Sequence, residues 1–293
     1  KWVAYFSDRT GEYELTVRPA DGTGQERTVT TLGPGFRYRI TWSPDSSKVA
    51  FVDQAMKVSV VDVATGKVTS VDRGLFWYEG DLEGFAPSWS GDSRWLAFAR
   101  DLPNRSAALF IFDTRDNKLT QATSAFYGFA GPVFDPEGKY LYAYVDRTFK
   151  PLYSDLDNTF IYANTTGIAA IPLRKDVPSP LAPRNDIDEK KDDKAAEKKD
   201  EKGKDDKAAE KKDGEKKDEK DKAKPKPVEI DFDGFEGRLV PLPAAAGNYG
   251  ELAAAMKLVD TPGAAGGTPA NGNWRINGAT ESEQTWIGTA VNL

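Results

Sequence analysis

Short runs of β-branched and aromatic residues, separated by turn residues, fill most of the first half of the chain. Residues 58–63 (Val-Ser-Val-Val-Asp-Val) and 68–71 (Val-Thr-Ser-Val) are two such runs, and residues 64–67 (Ala-Thr-Gly-Lys) separate them. Strand-length runs around a tight turn predict a β-hairpin. The same pattern returns at residues 109–113, followed by a turn around residues 116–118. These runs predict an all-β fold.

A longer pattern repeats along the chain. Residues 41–51 (Thr-Trp-Ser-Pro-Asp-Ser-Ser-Lys-Val-Ala-Phe) are echoed at residues 88–98 and 133–144, and residues 2–5 match the end of the pattern. Successive copies lie 46, 47 and 45 residues apart when they are aligned on Val3, Val49, Leu96 and Leu141. A period of about 40 to 50 residues with roughly four strands is typical of β-propeller blades, whose sheets must stack because none buries both faces alone. We therefore predict β-propeller blades of four antiparallel strands, part of a six- or seven-bladed propeller, with the last three aligned residues on equivalent inner strands.

Each repeat contains a polar turn just before a strand. Proline fixes φ at the second turn position, and Asp, Ser or Gly accepts the tight geometry that follows, so we interpret these turns as structural. The alternative hypothesis is a ring of acidic ligands facing one channel, formed by Asp45, Asp92 and Glu137. We interpret the aromatic residues before the turns as packing between blades rather than as a ligand cage, because aromatic side chains bury large areas where sheets meet. They are Trp42, Trp89 and Phe134.

Residues 186–227 differ in kind from the rest of the chain. They contain 16 Lys and 16 Asp plus Glu. Almost no apolar side chain is present to offset the entropy of ordering, so we predict a disordered, solvated insertion between strands. Residues 228–233 alternate apolar and polar side chains, which predicts that the β pattern resumes there. The predicted segments are propeller blades at 1–185, the charged insertion at 186–227, the propeller continuation at 228–259, and a Gly-, Ala- and Thr-rich tail without an assigned element at 260–293.

The composition excludes several kinds of chemistry. The chain has no histidine and no cysteine, which removes the usual general base, the commonest transition-metal ligand, any thiolate nucleophile and any disulfide. A self-contained Ser-His-Asp enzyme is therefore excluded, and we predict no catalytic residue, no cofactor and no bound metal. The net charge of −6 argues against nucleic-acid and anionic-membrane partners, because both are bound through basic faces.

One short motif matches the start of a calcium loop. Residues 231–234 (Asp-Phe-Asp-Gly) supply its first two carboxylates. The third ligand and the distant bidentate glutamate of an EF-hand loop are not in place, so calcium binding is the weaker hypothesis. A nucleophile elbow, a phosphate-binding loop and a dinucleotide fingerprint are all missing from the sequence.

The second half of the predicted propeller has a more specific pattern. It runs from residues 127–129 (Tyr-Gly-Phe) through 173–183, crosses the charged insertion, and continues in residues 230–243 (Ile-Asp-Phe-Asp-Gly-Phe-Glu-Gly-Arg-Leu-Val-Pro-Leu-Pro) and 247–249 (Gly-Asn-Tyr). This passage resembles bacterial tricorn protease homologues, and the resemblance covers roughly residues 1–257. It implies a large serine peptidase with a six-bladed propeller, a seven-bladed propeller, a PDZ domain and a protease domain. The present chain looks like part of the propeller region.

The resemblance also implies partners and a location. Peptides or unfolded polypeptide would be the ligands, and the PDZ and protease domains of the parent chain would be neighbours. The family's catalytic serine and histidine lie in those later domains, so no catalytic residue is carried over to this sequence. A cytoplasmic location is favoured, with the periplasm open, and an oligomer is also left open. The chain begins at Lys1 without an initiator methionine, so we expect that the natural N-terminus and any localisation signal are missing.

The sequence is compatible with three functions. The first is a non-catalytic propeller segment that guides or filters peptides toward a separate protease domain. The second is a stand-alone TolB-like propeller that acts as a protein-interaction scaffold, which the repeats alone support equally well. The third, the propeller lid of a prolyl oligopeptidase, is disfavoured by the Gly-Asn-Tyr passage.

The charged insertion generates the first testable prediction. Deleting residues 186–227 should change the free energy of unfolding little, because the closure entropy of a surface loop varies only slowly with its length. Thermal and urea unfolding of the deletion protein beside the intact chain measures the difference. A loss of several kcal/mol would show instead that the segment is a structural element.

Overall fold

The computed structural model describes residues 2–75, 85–149, 151–156, 159–161, 164–183, 225–247, 249–255, 273–276 and 285–289. The chain divides into one compact unit of residues 1–180 and 226–293 and a second unit of residues 181–225, and every strand belongs to the first. Strands make up nearly all of its regular structure, with one 3₁₀ turn at Glu236–Arg238 in the described part. Most of the predicted insertion, residues 186–224, lies outside the described residues.

The first three sheets follow one another along the chain, and all their strand pairs are antiparallel. The first sheet has three strands: β1 (Trp2–Ser7), β2 (Glu14–Pro19) and β3 (Arg27–Thr28). The second has four strands in chain order: β4 (Arg37–Trp42), β5 (Lys48–Asp53), β6 (Lys57–Asp62) and β7 (Val68–Arg73). The third has the same order: β8 (Ser88–Trp89), β9 (Trp95–Asp101), β10 (Ala107–Asp113) and β11 (Lys118–Gln121). The predicted hairpins are confirmed as β6–β7 and β10–β11.

The fourth sheet is interrupted twice along the chain. Its order is β12-β13-β16-β17, and a separate hairpin, β14–β15, lies between its second and third strands in sequence. The strands are β12 (Phe129–Phe134), β13 (Tyr140–Asp146), β14 (Leu152–Ser154), β15 (Thr159–Ile161), β16 (Thr166–Pro172) and β17 (Val240–Pro241). The last sheet, of order β18-β20-β19, contains β18 (Gly250–Ala255), β19 (Asn273–Ile276) and β20 (Thr285–Thr289). The tail of residues 260–293, to which no element was assigned, thus contributes two strands.

The aligned apolar residues of the repeat occupy equivalent positions. Each lies on the second strand of its sheet, is 0% exposed, and is opposite the aromatic residue of the first strand. The pairs are Val49 with Trp42, Leu96 with Trp89, and Leu141 with Phe134. This equivalence confirms the prediction of all-β blades with four antiparallel strands.

Alternation along each strand stacks the sheets. Successive side chains point to opposite faces of a sheet, and in β9 this sends Leu96 and Phe98 into the cluster shared with the second sheet. Trp95 and Ala97 enter the cluster shared with the fourth sheet. Similar clusters join the first sheet to the second and the fourth sheet to β18. Because both faces of the middle sheets are apolar, their strands are buried on both sides.

The polar turns of the repeat add hydrogen bonds within and between blades. In the first turn Ser46 adopts a left-handed φ of 63°, and its N–H donates to the Ser43 carbonyl at 2.8 Å. Ser93 repeats this geometry in the next blade with a φ of 61°. Its hydroxyl also accepts the Asp45 N–H at 3.0 Å, which links the two turns across the blades. The structural interpretation of the turns is therefore confirmed.

The predicted strand at residues 228–233 is wrong. The backbone there joins no ladder, because its hydrogen-bonding groups have other partners. The Val228 N–H donates to the Asp92 carboxylate at 2.8 Å, and the Val228 carbonyl accepts the Trp95 indole N–H at 2.8 Å. The Asp231 N–H donates to the Leu173 carbonyl at 2.9 Å. The alternation of apolar and polar side chains at residues 228–233 instead reflects burial of Val228 in the cluster of the third and fourth sheets. The strand that completes the fourth sheet is β17.

The stacking of the sheets generates a stability prediction. Leu96→Ala should lower the free energy of unfolding by about 2 to 5 kcal/mol, because it leaves a cavity between two sheets. Val3→Ala is a matched control at the equivalent repeat position, where Val3 is 41% exposed, and it should cost no more than about 0.5 kcal/mol. Urea unfolding followed by tryptophan fluorescence measures both. Equal losses would contradict the assignment of the buried faces.

Candidate functional site

The first strands of three neighbouring sheets meet at one surface. β12 contacts both β8 and β18, and a cavity of about 770 Å³ opens beside these strands. Residues from four sheets contribute to its wall. The apolar part of the wall includes Val52, Val58, Phe85, Phe98, Phe129 and Leu252. A concave, mainly apolar site with a few polar groups is the usual form of a ligand-binding site.

An arginine in an unusual backbone conformation stands at this cavity. Arg39 has a left-handed φ of 60°, inside a β-bulge between Tyr38 and Thr41. The equivalent bulge of β12 has Gly131 with a φ of 51°. Glycine adopts this region without steric cost, whereas another residue pays of order 1 to 3 kcal/mol. The exposed Arg39 side chain donates from Nε to the Phe85 carbonyl at 3.2 Å and leaves most of its guanidinium at the cavity.

The second arginine of the cavity is already engaged by the protein. Arg100 Nε lies 2.5 Å from the Asp72 carboxylate, and both side chains are mostly buried. The Arg100 guanidinium also covers the Phe110 ring at 4.1 Å. This ion pair joins the second sheet to the third, and of the two arginines Arg39 is the more accessible to a ligand.

A second cavity of about 500 Å³ adjoins the first, since Asp101, Phe129 and Tyr144 line both. It adds the stacked rings of Tyr144 and Tyr249, whose centroids are 6.1 Å apart, and the carboxylate of Asp146. That carboxylate accepts the Thr166 hydroxyl at 2.6 Å. Burial raises the pKa of the Tyr249 hydroxyl. The two cavities together form one groove along the first strands.

The acidic residues of the repeat do not line this groove. Asp45 accepts hydrogen bonds from the Ser43 hydroxyl at 2.6 Å and the Ser47 N–H at 2.9 Å. Partial burial alone would raise the pKa of Asp45, but these bonds outweigh it and the pKa lies below its usual value. Asp92 accepts the Ser90 hydroxyl at 2.5 Å, and Glu137 pairs with Lys139 at 2.6 Å. The three carboxylates thus stabilise their own turns, and Asp92 also binds the Val228 N–H.

The aromatic residues of the repeat pack between blades, as predicted. Trp89 and Phe134 are buried in the clusters that join the second sheet to the third and the third to the fourth. Trp42 packs against the cluster of the first and second sheets. The Trp89 indole N–H donates to the Thr41 carbonyl of the preceding blade at 3.2 Å. Their rings are therefore structural contacts.

The Asp-Phe-Asp-Gly motif is organised by basic residues. Asp231 accepts the Lys175 N–H at 2.9 Å, and the Asp233 carboxylate lies 2.6 Å from Lys175 Nζ. The hydrogen bond from Lys175 lowers the pKa of Asp233. Within the described ranges, no group of three or more acidic side chains is placed to hold a metal ion. Both carboxylates thus hold the segment to the end of β16.

Arg238 fixes the same segment through backbone carbonyls. Its guanidinium donates to the carbonyls of Pro172 at 3.0 Å, Leu173 at 3.3 Å and Asp233 at 2.9 Å, and also to that of Asp231. One guanidinium therefore satisfies four carbonyl groups that would otherwise need a strand ladder or water as the donor. The motif is therefore held structurally against the end of β16.

Sequence reasoning missed Arg39, although a signal was present. When the repeats are aligned, Arg39 of the second sheet corresponds to Gly131 of the fourth. A glycine at one copy of a repeat indicates a backbone position that needs a positive φ.

No helix among the described residues has the length and hydropathy needed to cross a membrane.

The chain matches a described protein family over most of its length. The family model of the tricorn protease second β-propeller domain covers residues 1–263. Tricorn protease homolog 1 of Streptomyces coelicolor is 29% identical over 258 residues, which are 87% of this chain and 22% of that protein. The tricorn protease of Thermoplasma volcanium is 26% identical over 166 residues, 54% of this chain and 15% of that protein.

A solved structure shows the same fold. The crystal structure of the tricorn protease superposes with a TM-score of 0.62 at 18% identity, over 86% of this chain and 21% of that one. The chain therefore spans about a fifth of the length of that protein and of the Streptomyces relative.

The Arg238 contacts generate a prediction about the Asp-Phe-Asp-Gly segment. Arg238→Met keeps the apolar stem but removes every donor, and it should lower the free energy of unfolding by about 2 to 3 kcal/mol because carbonyls near β16 lose a charged partner. Arg174→Met is the matched control, since the Arg174 ion pair with Asp176 is exposed and should be worth less than about 1 kcal/mol. Urea unfolding distinguishes them, and similar losses would refute the structural role of Arg238.

Proposed function

The chain belongs to the tricorn protease family, as its second β-propeller domain, and from this premise we propose that it guides or filters peptides toward a separate protease domain. The groove along the first strands is the surface that would contact the peptide. The PDZ and protease domains of the parent protein would receive it. Because the chain spans only about a fifth of its full-length relative, the activity belongs to the larger protein.

The composition of the groove supports a peptide ligand. An extended peptide presents apolar side chains, backbone amides and a terminal carboxylate. The groove offers a matching apolar wall that includes Phe98 and Phe129. It also offers Tyr249 and the exposed guanidinium of Arg39. Arginine binds carboxylates through two parallel N–H donors, so Arg39 is suited to an acidic side chain or a C-terminus.

The backbone of Arg39 is the observation that carries this proposal. Glycine would fit the bulge without strain, as Gly131 does in β12. Strained backbone positions cluster at binding and active sites. The Arg39 side chain faces the cavity and makes one hydrogen bond that is not needed for the strand ladder.

The chain itself would not carry out hydrolysis. With no histidine and no cysteine, the remaining routes to an activated nucleophile are Ser-Lys and N-terminal Thr arrangements, for which the sequence has no motif. Its contribution would be to control which peptides reach the catalytic groups.

The peptide contact has a direct test in Arg39→Gly. We expect this variant to weaken the binding of short unstructured peptides with a free C-terminus by about tenfold to a hundredfold, the size expected for one charged hydrogen bond. C-terminally amidated peptides are the control and should bind both proteins equally. The free energy of unfolding should not fall, because glycine relieves the strained φ. Fluorescence anisotropy and urea unfolding measure these quantities.

The guiding function is tested in the full-length protein. Removing the propeller should leave cleavage of short fluorogenic peptides intact while changing the length limit for longer ones, because a ring in front of a protease domain admits only short or unfolded chains. Peptide hydrolysis by the purified 293-residue chain, or an unchanged length profile after deletion, would refute the proposal.

A further inference from the structure

The two cavities of the groove differ in charge. The second cavity, of about 500 Å³, includes Asp146 and Arg105, which do not line the first. Among the described residues of its wall, the carboxylates of Asp101 and Asp146 outnumber the guanidinium of Arg105. The first cavity has the opposite balance, because Arg39 and Arg100 line it together with Asp101. Positive charge is therefore in excess in one cavity and negative charge in the other.

Two hydroxyl groups of the second cavity offer acceptors to a ligand. The Thr166 hydroxyl donates to the Asp146 carboxylate at 2.6 Å, and the Tyr249 hydroxyl donates to the Ala245 carbonyl. Each hydroxyl has a single proton, so both protons are used inside the protein and lone pairs remain for a ligand. The ionised carboxylate of Asp146 also accepts without donating. These three side chains thus favour a ligand group that only donates hydrogen bonds.

An aromatic pair forms another part of the wall. The rings of Tyr144 and Tyr249 are nearly parallel, with an angle of 11° between their planes and centroids 6.1 Å apart. The face of a tyrosine ring attracts a cation that lies within about 6 Å of its centroid. A primary ammonium group is a cation with three donors and no acceptor. It therefore matches the acceptors, the excess of negative charge and the aromatic surface of this cavity.

Two glycines at β12 make room for these side chains. A Cβ atom at Gly128 would lie 3.2 Å from Oδ2 of Asp146, and a Cβ atom at Gly131 would lie 3.1 Å from the Tyr144 ring. Carbon atoms in optimal contact are about 3.5 to 4.0 Å apart. A larger residue at either position would crowd the carboxylate or the ring, so the two glycines allow both groups to occupy the cavity wall.

From the charge, the acceptors and the aromatic pair, we propose that the second cavity is a subsite for a primary ammonium group of the bound peptide, with Asp146 as its counter-ion. The inference rests on the proposed function, since the groove must bind peptides for the subsite to act. The free N-terminus and a lysine side chain both supply such a group. The N-terminus agrees with the charge order of the groove, because a peptide whose C-terminal carboxylate contacts Arg39 has its ammonium group at the other end.

Fluorescence anisotropy with three related peptides tests the subsite. All three have a free C-terminus and an internal fluorophore. The first has a free N-terminus and no lysine, the second is its N-acetylated form, and the third is N-acetylated with one lysine. The wild type should bind the first about tenfold more tightly than the second, the lower end for a charged hydrogen bond because Asp146 is exposed. Tighter binding of the third than of the second would assign the ammonium group to a lysine side chain.

Asp146→Asn shows whether this preference arises at the second cavity. The amide keeps an acceptor for the Thr166 hydroxyl and removes the charge, so the variant should unfold in urea like the wild type and bind the free and acetylated peptides equally. Asp176→Asn is the matched control, because Asp176 is exposed and lines neither cavity. It should keep the tenfold preference.

The outcomes separate this subsite from the proposed function. A wild type without a preference for either ammonium peptide, a preference that persists in Asp146→Asn, or an equal loss in Asp176→Asn would each overturn the ammonium subsite. If Arg39→Gly still weakens peptide binding in that case, the proposed function stands and the subsite alone is wrong. If none of the three peptides binds, the proposed function is refuted and the subsite with it.

Discussion

Face-to-face packing of apolar sheets is the interaction on which this structure depends. The second, third and fourth sheets have apolar residues on both faces, so each contributes to two clusters. Leu96 and Trp95 are adjacent in the chain and yet belong to different clusters. A single blade could not bury both sets of side chains, and its stability therefore comes from its neighbours.

The stacking also determines where the candidate site forms. It brings β8, β12 and β18 side by side, and the bulges in β4 and β12 contribute Arg39 and Gly131 to the wall of the groove. The same packing that stabilises the blades positions Arg39 in the bulge of β4.

The sequence predicted the parts of the fold that depend on repetition. The spacing of Val49, Leu96 and Leu141 placed equivalent strands correctly because every blade must solve the same packing problem. The prediction of a strand at residues 228–233 was wrong, because the alternation there arises from burial of the apolar side chains. The backbone of this segment forms hydrogen bonds with Asp92, Trp95 and Leu173 and not with a neighbouring strand. The site was missed because its key feature, the positive φ of Arg39, is a property of the backbone that only comparison with Gly131 could have suggested.

Native-state amide hydrogen exchange tests the stacking of the blades most directly. β9 and β10 have neighbouring sheets on both faces, whereas Trp2 and Val3 of β1 are exposed. Opening free energies vary across a structure with the burial of each element. We expect the amides of β9 and β10 to exchange slowest and those of β1 much faster. Equal protection of β1 and β9 would contradict it.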